Sequence, residues 1–445
     1  MKKNWIQVKD LTASDFPLSI RPFFVNAISV GDVNIGVKLA IVAIVCLCAL
    51  SPRLRVKYHY DFGLSMLLLN CLCIGPSGKG KRIIGFIVNM LMKYFYEADN
   101  REREIYSKWK SENKRRPNNK KGDEEPAVAI RCLQKFTLPI ITKYADLIHK
   151  KYGDILPFFL FAPELGSFIE NRRGSADFKG VARTAYDLGE AYRRDTLYDG
   201  GHNAAVDINW LSIICGQETV LPKLIDKEGI TAGDPSRNIL IKIGEGIGDP
   251  APTLKPFTEE QKQVIDDTIR RLWRETFTDD DNQLMPTHEV DMSWLNKDVV
   301  AWNERQRELI TKSGSRAHDS FYARASTSAF RLATAIYYLW GEDKTKQKNT
   351  RKCYYYFAQF ILDGLMAQWG QQYEAAMPKD KEATIARPSL YDSLGKRFTR
   401  KELAERIVEL GINSAPRKFI YKWMTERKWI FEVEGEHDTY EKIFE

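Results

Sequence analysis

An α/β protein with a small appended domain is the fold class this sequence predicts, and three observations predict it. A glycine-rich turn, Cys73-Ile74-Gly75-Pro76-Ser77-Gly78-Lys79-Gly80-Lys81-Arg82, stands between the apolar run Leu64 to Leu72 and the apolar-periodic stretch Ile83 to Leu91. Further along, short and nearly all-apolar runs alternate with helical stretches, as in a parallel sheet covered on both faces. The end of the chain then changes to helix, turn, helix and hairpin.

Taken in order, residues 1–30 carry Pro17, Pro22 and scattered aromatics and read as an irregular lead-in packed on the main domain. Leu39 to Leu50 is apolar on all sides. It is too short to span a bilayer and too far along the chain for a signal peptide, so it predicts a buried helix ended by Ser51-Pro52. Residues 31–250 are expected to form the nucleotide-binding α/β core. Its strands are expected at the glycine turn and within 155–162, 208–216 and 238–243, with a helix over 178–188. A charged insertion, about 99–126, is expected to continue as helix and end in the loop Pro117-Asn118-Asn119-Lys120-Lys121-Gly122. It is either a solvated tether or a basic arm for nucleic-acid phosphates.

Apolar residues at three-to-four spacing predict helices over 257–277, 293–312, 319–340 and 353–373, in a helical domain of residues 251–378 that packs beside the sheet or forms a lid. Residues 385–445 are expected to form a winged helix. Thr399-Arg400-Lys401-Glu402 is a capping box, Gly411 ends that helix, Ser414-Ala415-Pro416 opens a second, and a hairpin follows from Trp429.

At 445 residues the chain can hold several domains, and 44% hydrophobic with 28% charged residues is an ordinary globular balance. The net charge of +8 favours a polyanionic partner only weakly. The seven cysteines, several inside apolar runs, have no metal-ligand spacing and read as reduced core residues of a cytoplasmic protein. No membrane association is expected.

The glycine turn carries the chemistry. Backbone amides of Gly75, Ser77, Gly78, Lys79, Gly80, Lys81 and Arg82, around Pro76, are expected to cradle a phosphate at the positive end of the following helix. The spacing Gly75-x4-Gly80-Lys81 fits a P-loop, with ATP as the ligand and Lys81 at its β- and γ-phosphates. Gly78-Lys79 offers a second frame, but only Lys81 puts a first glycine at the strand end. The hydroxyl residue that should follow the lysine, to hold Mg²⁺, is Arg82.

A hydrolysing P-loop enzyme also needs a second strand ending in carboxylates. Glu164 stands where the water-activating group belongs, either as that group or as a helix-capping acid. The neighbouring metal-supporting position is Pro163, so Mg²⁺ would rely on waters and phosphate oxygens. Gln217 closes the next apolar strand and either senses the γ-phosphate or precedes a helix capped by Thr219. Arg237, Arg324 and Arg331 are candidates for a phosphate-facing arginine or an arginine finger across a subunit boundary. In the last domain, Arg417, Lys418, Tyr421 and Lys422 line one side of the second helix and are the candidate DNA contacts.

These parts occur in a recognisable order: residues 40–51, Gly75 to Lys81, Glu164-Leu165-Gly166-Ser167-Phe168, 211–217, the turn 229–237 with its strand, and 321–331. That order resembles a P-loop domain family of unassigned function from bacterial mobile elements and prophages, of the Bacteroidetes type, found beside primase modules. The resemblance spans residues from about 30 to 345 and implies a RecA-like core. It implies Lys81 as the phosphate lysine, Glu164 as the acidic position, Gln217 as a sensor and Arg237 as a phosphate-facing or intersubunit arginine. Arg82 and Pro163 depart from the pattern, and no primase module is present. The function expected is an ATP-binding, DNA-binding helicase-like ATPase or replication initiator of a mobile genetic element. It would work as a homo-oligomer, a ring being compatible, with DNA and a primase or other replication protein as partners. The alternative is a non-hydrolysing DNA-binding scaffold.

Overall fold

The computed structural model describes residues 10–59, 63–115, 124–134, 137–166, 178–186, 191–194, 204–244, 248, 250–278, 283–377, 390–391, 393–410, 412, 414–426 and 429–443. The expected loop 117–122, Ser167-Phe168 and Gly411 lie outside them. The chain divides into two compact units, Met1–Ala376 and Met377–Glu445.

The first unit is built around a five-stranded parallel sheet. Every residue of helix α1 (Ile35–Leu50) is buried, as the all-round apolar run from Leu39 requires, and the one charge in it, Lys38, is paired with Asp32 at 2.8 Å. Strand β1 (Asn70–Ile74) runs into the glycine turn, and α2 (Arg82–Leu91) leaves it. Ile83, Ile84, Ile87, Val88 and Leu91 form the buried stripe of α2. Helix α3 (Lys93–Arg115) leads to edge strand β2 (Cys132–Leu133), then α4 (Leu138–Tyr152) to β3 (Phe158–Ala162). Strands β4 (Trp210–Gly216) and β5 (Ile239–Lys242) complete the sheet. The order across it is β2-β3-β4-β1-β5, with every neighbouring pair parallel. All residues of β1, β3 and β4 are buried, which explains their mainly apolar runs, and the one polar pair among them is matched, Ser212 Oγ donating to Asn70 Oδ1 (2.8 Å).

Helices α5 (Glu259–Arg274), α6 (Asn296–Ser313), α7 (Arg316–Leu339) and α8 (Lys346–Leu365) follow. They pack beside the sheet, one of the two arrangements expected, and belong to the first unit instead of forming a compact unit of their own. Helix α7 packs on α1 and α8 on β5, where Gly364 lets the helix approach the Leu240 carbonyl. The covering helices and the sheet therefore share one core. The lead-in joins it too: Phe16, Ile20 and Phe23 are buried, and Ala27–Ile28 pairs antiparallel with Thr253–Leu254.

Two further expectations need correcting. The strand before the glycine turn begins at Asn70, not within 64–69, because the ladder starts only where Ser212 of β4 lies opposite Asn70. Met66 to Leu69 are buried without being strand. Nor is the start of the charged insertion a tether. Buried Asp99 accepts from the backbone amides of Arg131 (2.5 Å) and Cys132 (2.9 Å), and Glu102 accepts from Ala129 N (3.0 Å). Thus α3 holds the entry to β2 in place.

The second unit has a three-stranded antiparallel sheet, β6 (Arg397–Thr399), β8 (Thr439–Lys442) and β7 (Ile430–Glu432), with β8 central. Helix α9 (Arg400–Glu409) opens on the expected capping box, with Thr399 and Glu402 each satisfying the other's backbone amide. Helix α10 (Pro416–Tyr421) continues as a π-helical turn, Lys422–Glu426. Phe398, Leu403, Ile407, Ile420, Trp423 and Ile430 form its core.

Candidate functional site: the glycine-rich loop

Parallel strands place their loops at a common edge, and the carboxyl end of β1 is flanked there by the ends of β4 and β5. The Gly75 amide donates to Gly216 O (3.1 Å), and the Ile243 amide donates to Ile74 O (2.8 Å). A methyl group at Gly75 would lie 2.2 Å from Ile243 O, so only glycine lets the chain turn away here. Gly80 adopts φ +86°, and a side chain there would meet Pro252 Cδ at 2.8 Å.

Lys81 is the last residue before α2. Its Nζ folds back into the loop and donates to Gly75 O (2.5 Å) and Pro76 O (3.1 Å). Among the described residues, nothing accepts from the amides of Ser77, Gly78, Gly80, Lys81 or Arg82. Donors left open at a helix start attract an anion. Lys79 is set differently. Its Cβ would lie 2.5 Å from a methyl on Gly244 (φ +68°), so the base of that side chain rests on the end of β5.

Beneath the loop the strand is sealed and uncharged. A hydrogen bond with Cys215 and burial push the Cys73 thiol well above its ordinary range, and burial does the same for Cys46, Cys48 and Cys71. All seven cysteines are free and buried.

Glu164 lies exposed two residues beyond β3, just before a helical turn at Leu165. Leu165 packs on the end of β4, where a methyl at Gly216 would come within 2.4 Å of its Cβ. Gln217 follows Gly216 directly and makes no capping bond with its side chain. The competing explanation through Thr219 is not realised, since Val220 is the N-cap of helix Leu221–Leu224. Gly75, Gln217 and Glu164 therefore close three successive strands, β1, β4 and β3, at one edge.

Comparison with protein-family models and with curated proteins finds no match.

The arginines are not brought to this edge. Arg237 precedes β5 and sits at its amino end, with Nη1 donating to Gly233 O (3.1 Å). The glycine loop lies at the opposite end of the same sheet, so Arg237 does not face it within one chain. Arg331 is 4% exposed. It donates to Leu68 O (2.9 Å) and Tyr186 O (3.3 Å), and its guanidinium lies 4.4 Å from the Tyr186 ring centre. A charge so enclosed cannot reach a neighbouring subunit, which corrects the arginine-finger expectation for Arg331. Arg324 is half-buried over the same ring, at 5.4 Å.

The sequence reading missed Lys242, at the end of β5, whose Nζ meets Glu218 at 3.3 Å across the end of β1. Only the interleaved strand order reveals it. Metal ligands are scarce here. Arg82 is exposed at the first turn of α2, Pro163 is exposed after β3, and no group of three or more His, Cys, Asp or Glu suited to a metal occurs among the described residues. Arg82 and Pro163 themselves offer a metal no side-chain oxygen. No helix among the described residues is long and apolar enough to cross a membrane.

In the second unit, Arg417, Lys418 and Tyr421 are exposed along α10, Tyr421 by 64%, and Lys422 is half-buried at the π-helical turn. Ile420 and Trp423 of the same segment are buried, so the basic side faces away from the unit's core.

Proposed function

We propose that the first unit binds the polyphosphate of ATP on Gly75–Arg82 as a P-loop, and that the protein acts on DNA as a helicase-like ATPase or replication initiator. The observation that carries this reading is the Lys81 ammonium folded onto Gly75 O and Pro76 O amid amides without acceptors. An incoming phosphate would replace those two carbonyls with stronger, charge-assisted partners. The strand order adds support, since β4 lies between β1 and the strand leading to Glu164, as a RecA-like core requires. Glu164 would orient the attacking water, and Gln217 would contact the γ-phosphate from the adjoining strand end. The second unit would be a winged helix whose α10 meets DNA through Arg417, Lys418, Tyr421 and Lys422. Arg237 and Arg324 remain for contacts between subunits of a homo-oligomer.

A second reading is favoured by Arg82 and Pro163, which occupy the positions where a hydroxyl and a carboxylate would hold Mg²⁺. In it the loop binds the nucleotide without turnover, and the protein is a DNA-binding scaffold. Two measurements decide. Calorimetric ATP titration should give saturable binding to the wild type and none to Lys81→Ala; absent binding to the wild type removes both nucleotide readings. Steady-state ATPase with and without single-stranded DNA should exceed that of Lys81→Ala and Glu164→Gln, whereas equal background turnover in all three leaves the scaffold.

A further inference from the structure

A charged cavity lies at the other end of the sheet from the glycine loop. Its volume is about 230 Å³, and it sits between α3, the entry to β2, and the ends of α4 and α5. Arg131, just before β2, lines it and is only 3% exposed. Its Nε donates to Pro157 O (3.1 Å), its Nη2 to Ala49 O (3.3 Å), and the guanidinium lies 4.6 Å from the Phe95 ring centre. The Ala49 contact caps the carboxyl end of α1 and accounts for one edge of the group.

The other edge is not accounted for. Nη1 has no partner among the described residues, and no carboxylate pairs with the guanidinium. Asp99 is nearby but is occupied by two backbone amides and by Arg103 Nε (2.8 Å). Burial pushes the Arg131 guanidinium down to about 10, against the opposing pull of Tyr152 and Asp99. Lys151 Nζ lies beside the same cavity and meets Glu102 at 2.5 Å, with further N–H donors available. Arg101, Arg131 and Lys151 against Asp99 and Glu102 leave an excess of one positive charge in the lining. Trp273, Phe277 and Tyr152 make the remaining wall aromatic.

We propose that this cavity binds a small aromatic acid, its anionic head on Arg131 and Lys151 and its ring against Trp273 and Phe277. A cavity of about 150 Å³ suffices for benzene, so the space admits one ring with its head group. A carboxylate or a phosphate monoester would offer the same recognition.

Benzoate, phenyl phosphate and neutral benzamide, titrated into the full chain and followed by tryptophan fluorescence and melting temperature, test the proposal. Benzoate or phenyl phosphate should bind saturably, and the stronger of the two identifies the head group. Benzamide should bind about tenfold or more weakly, because it leaves the buried cation unneutralised. Arg131→Met and Ala98→Phe, the second filling the cavity without changing a charge, should each abolish the response while keeping a cooperative melt. If Arg131→Met fails to fold, Ala98→Phe alone decides. The proposal is overturned by no saturable response to either anion at about 10 mM. Benzamide binding as tightly as benzoate, or binding that survives Ala98→Phe, overturns it equally.

Discussion

At Gly75 and Gly78 the same residue type does two different jobs. A methyl at Gly75 would strike Ile243 O at 2.2 Å, whereas one at Gly78 (φ +75°) meets nothing within 4 Å. Gly75→Ala should therefore push the loop off its strand, costing about 1–3 kcal/mol in urea unfolding and abolishing ATP binding. Gly78→Ala carries only the left-handed backbone penalty, about 1 kcal/mol, and should retain weakened ATP binding. Equal losses in the two variants would mean that the Ile243 contact does not shape the loop. Both glycines are legible in the spacing of the motif; their unequal importance is not, because Ile243 is remote in sequence. The arginines teach the same lesson. Arg237 and Arg331 carry the right group, but the strand end and helix face they occupy come from packing.

Among the elements, α3 is where charge composition misleads. Its charged sequence suggests solvent, yet Asp99 is 4% exposed and bonds two amides and Arg103. Asp99→Ala should leave those donors buried without an acceptor and lower stability by about 3–5 kcal/mol, read from the denaturant midpoint. Helix α7 gives a pH-dependent case. Burial lowers the pKa of His318, whose Nε2 lies 2.9 Å from Gln306 Oε1. The unfolded chain then takes up the proton first, so this contribution is intact above the unfolded value near 6.5 and is lost as pH falls below it. Melting temperature should drop from about pH 7.5 to about pH 5, and less so in His318→Gln. Identical drops would exonerate His318. Long periodic helices such as α5 and α7 were legible to within a few residues. The start of β1 was not, because an apolar run records burial, while a strand begins only where a neighbour pairs with it.

Over the whole molecule, two units with separate cores should respond separately. Trp423 is buried in the second core, and Trp423→Ala should destabilise that unit by about 3–5 kcal/mol while leaving the ATP response of the first unchanged. Calorimetry with and without ATP reads both. Arg417→Ala/Lys418→Ala should weaken DNA binding and reduce the slope of log affinity against log salt by about 2. A slope unchanged by both substitutions would remove α10 from the interface. By itself the sequence determined the turn between buried strand and helix, the capping box of α9 and the helical periodicity, because each rests on interactions between residues close along the chain. Only the tertiary structure decided that β4 lies between β1 and β3, and that Arg237 sits at the opposite end of the sheet from Gly75. Strand order is set by pairing between segments far apart, and no local pattern encodes it.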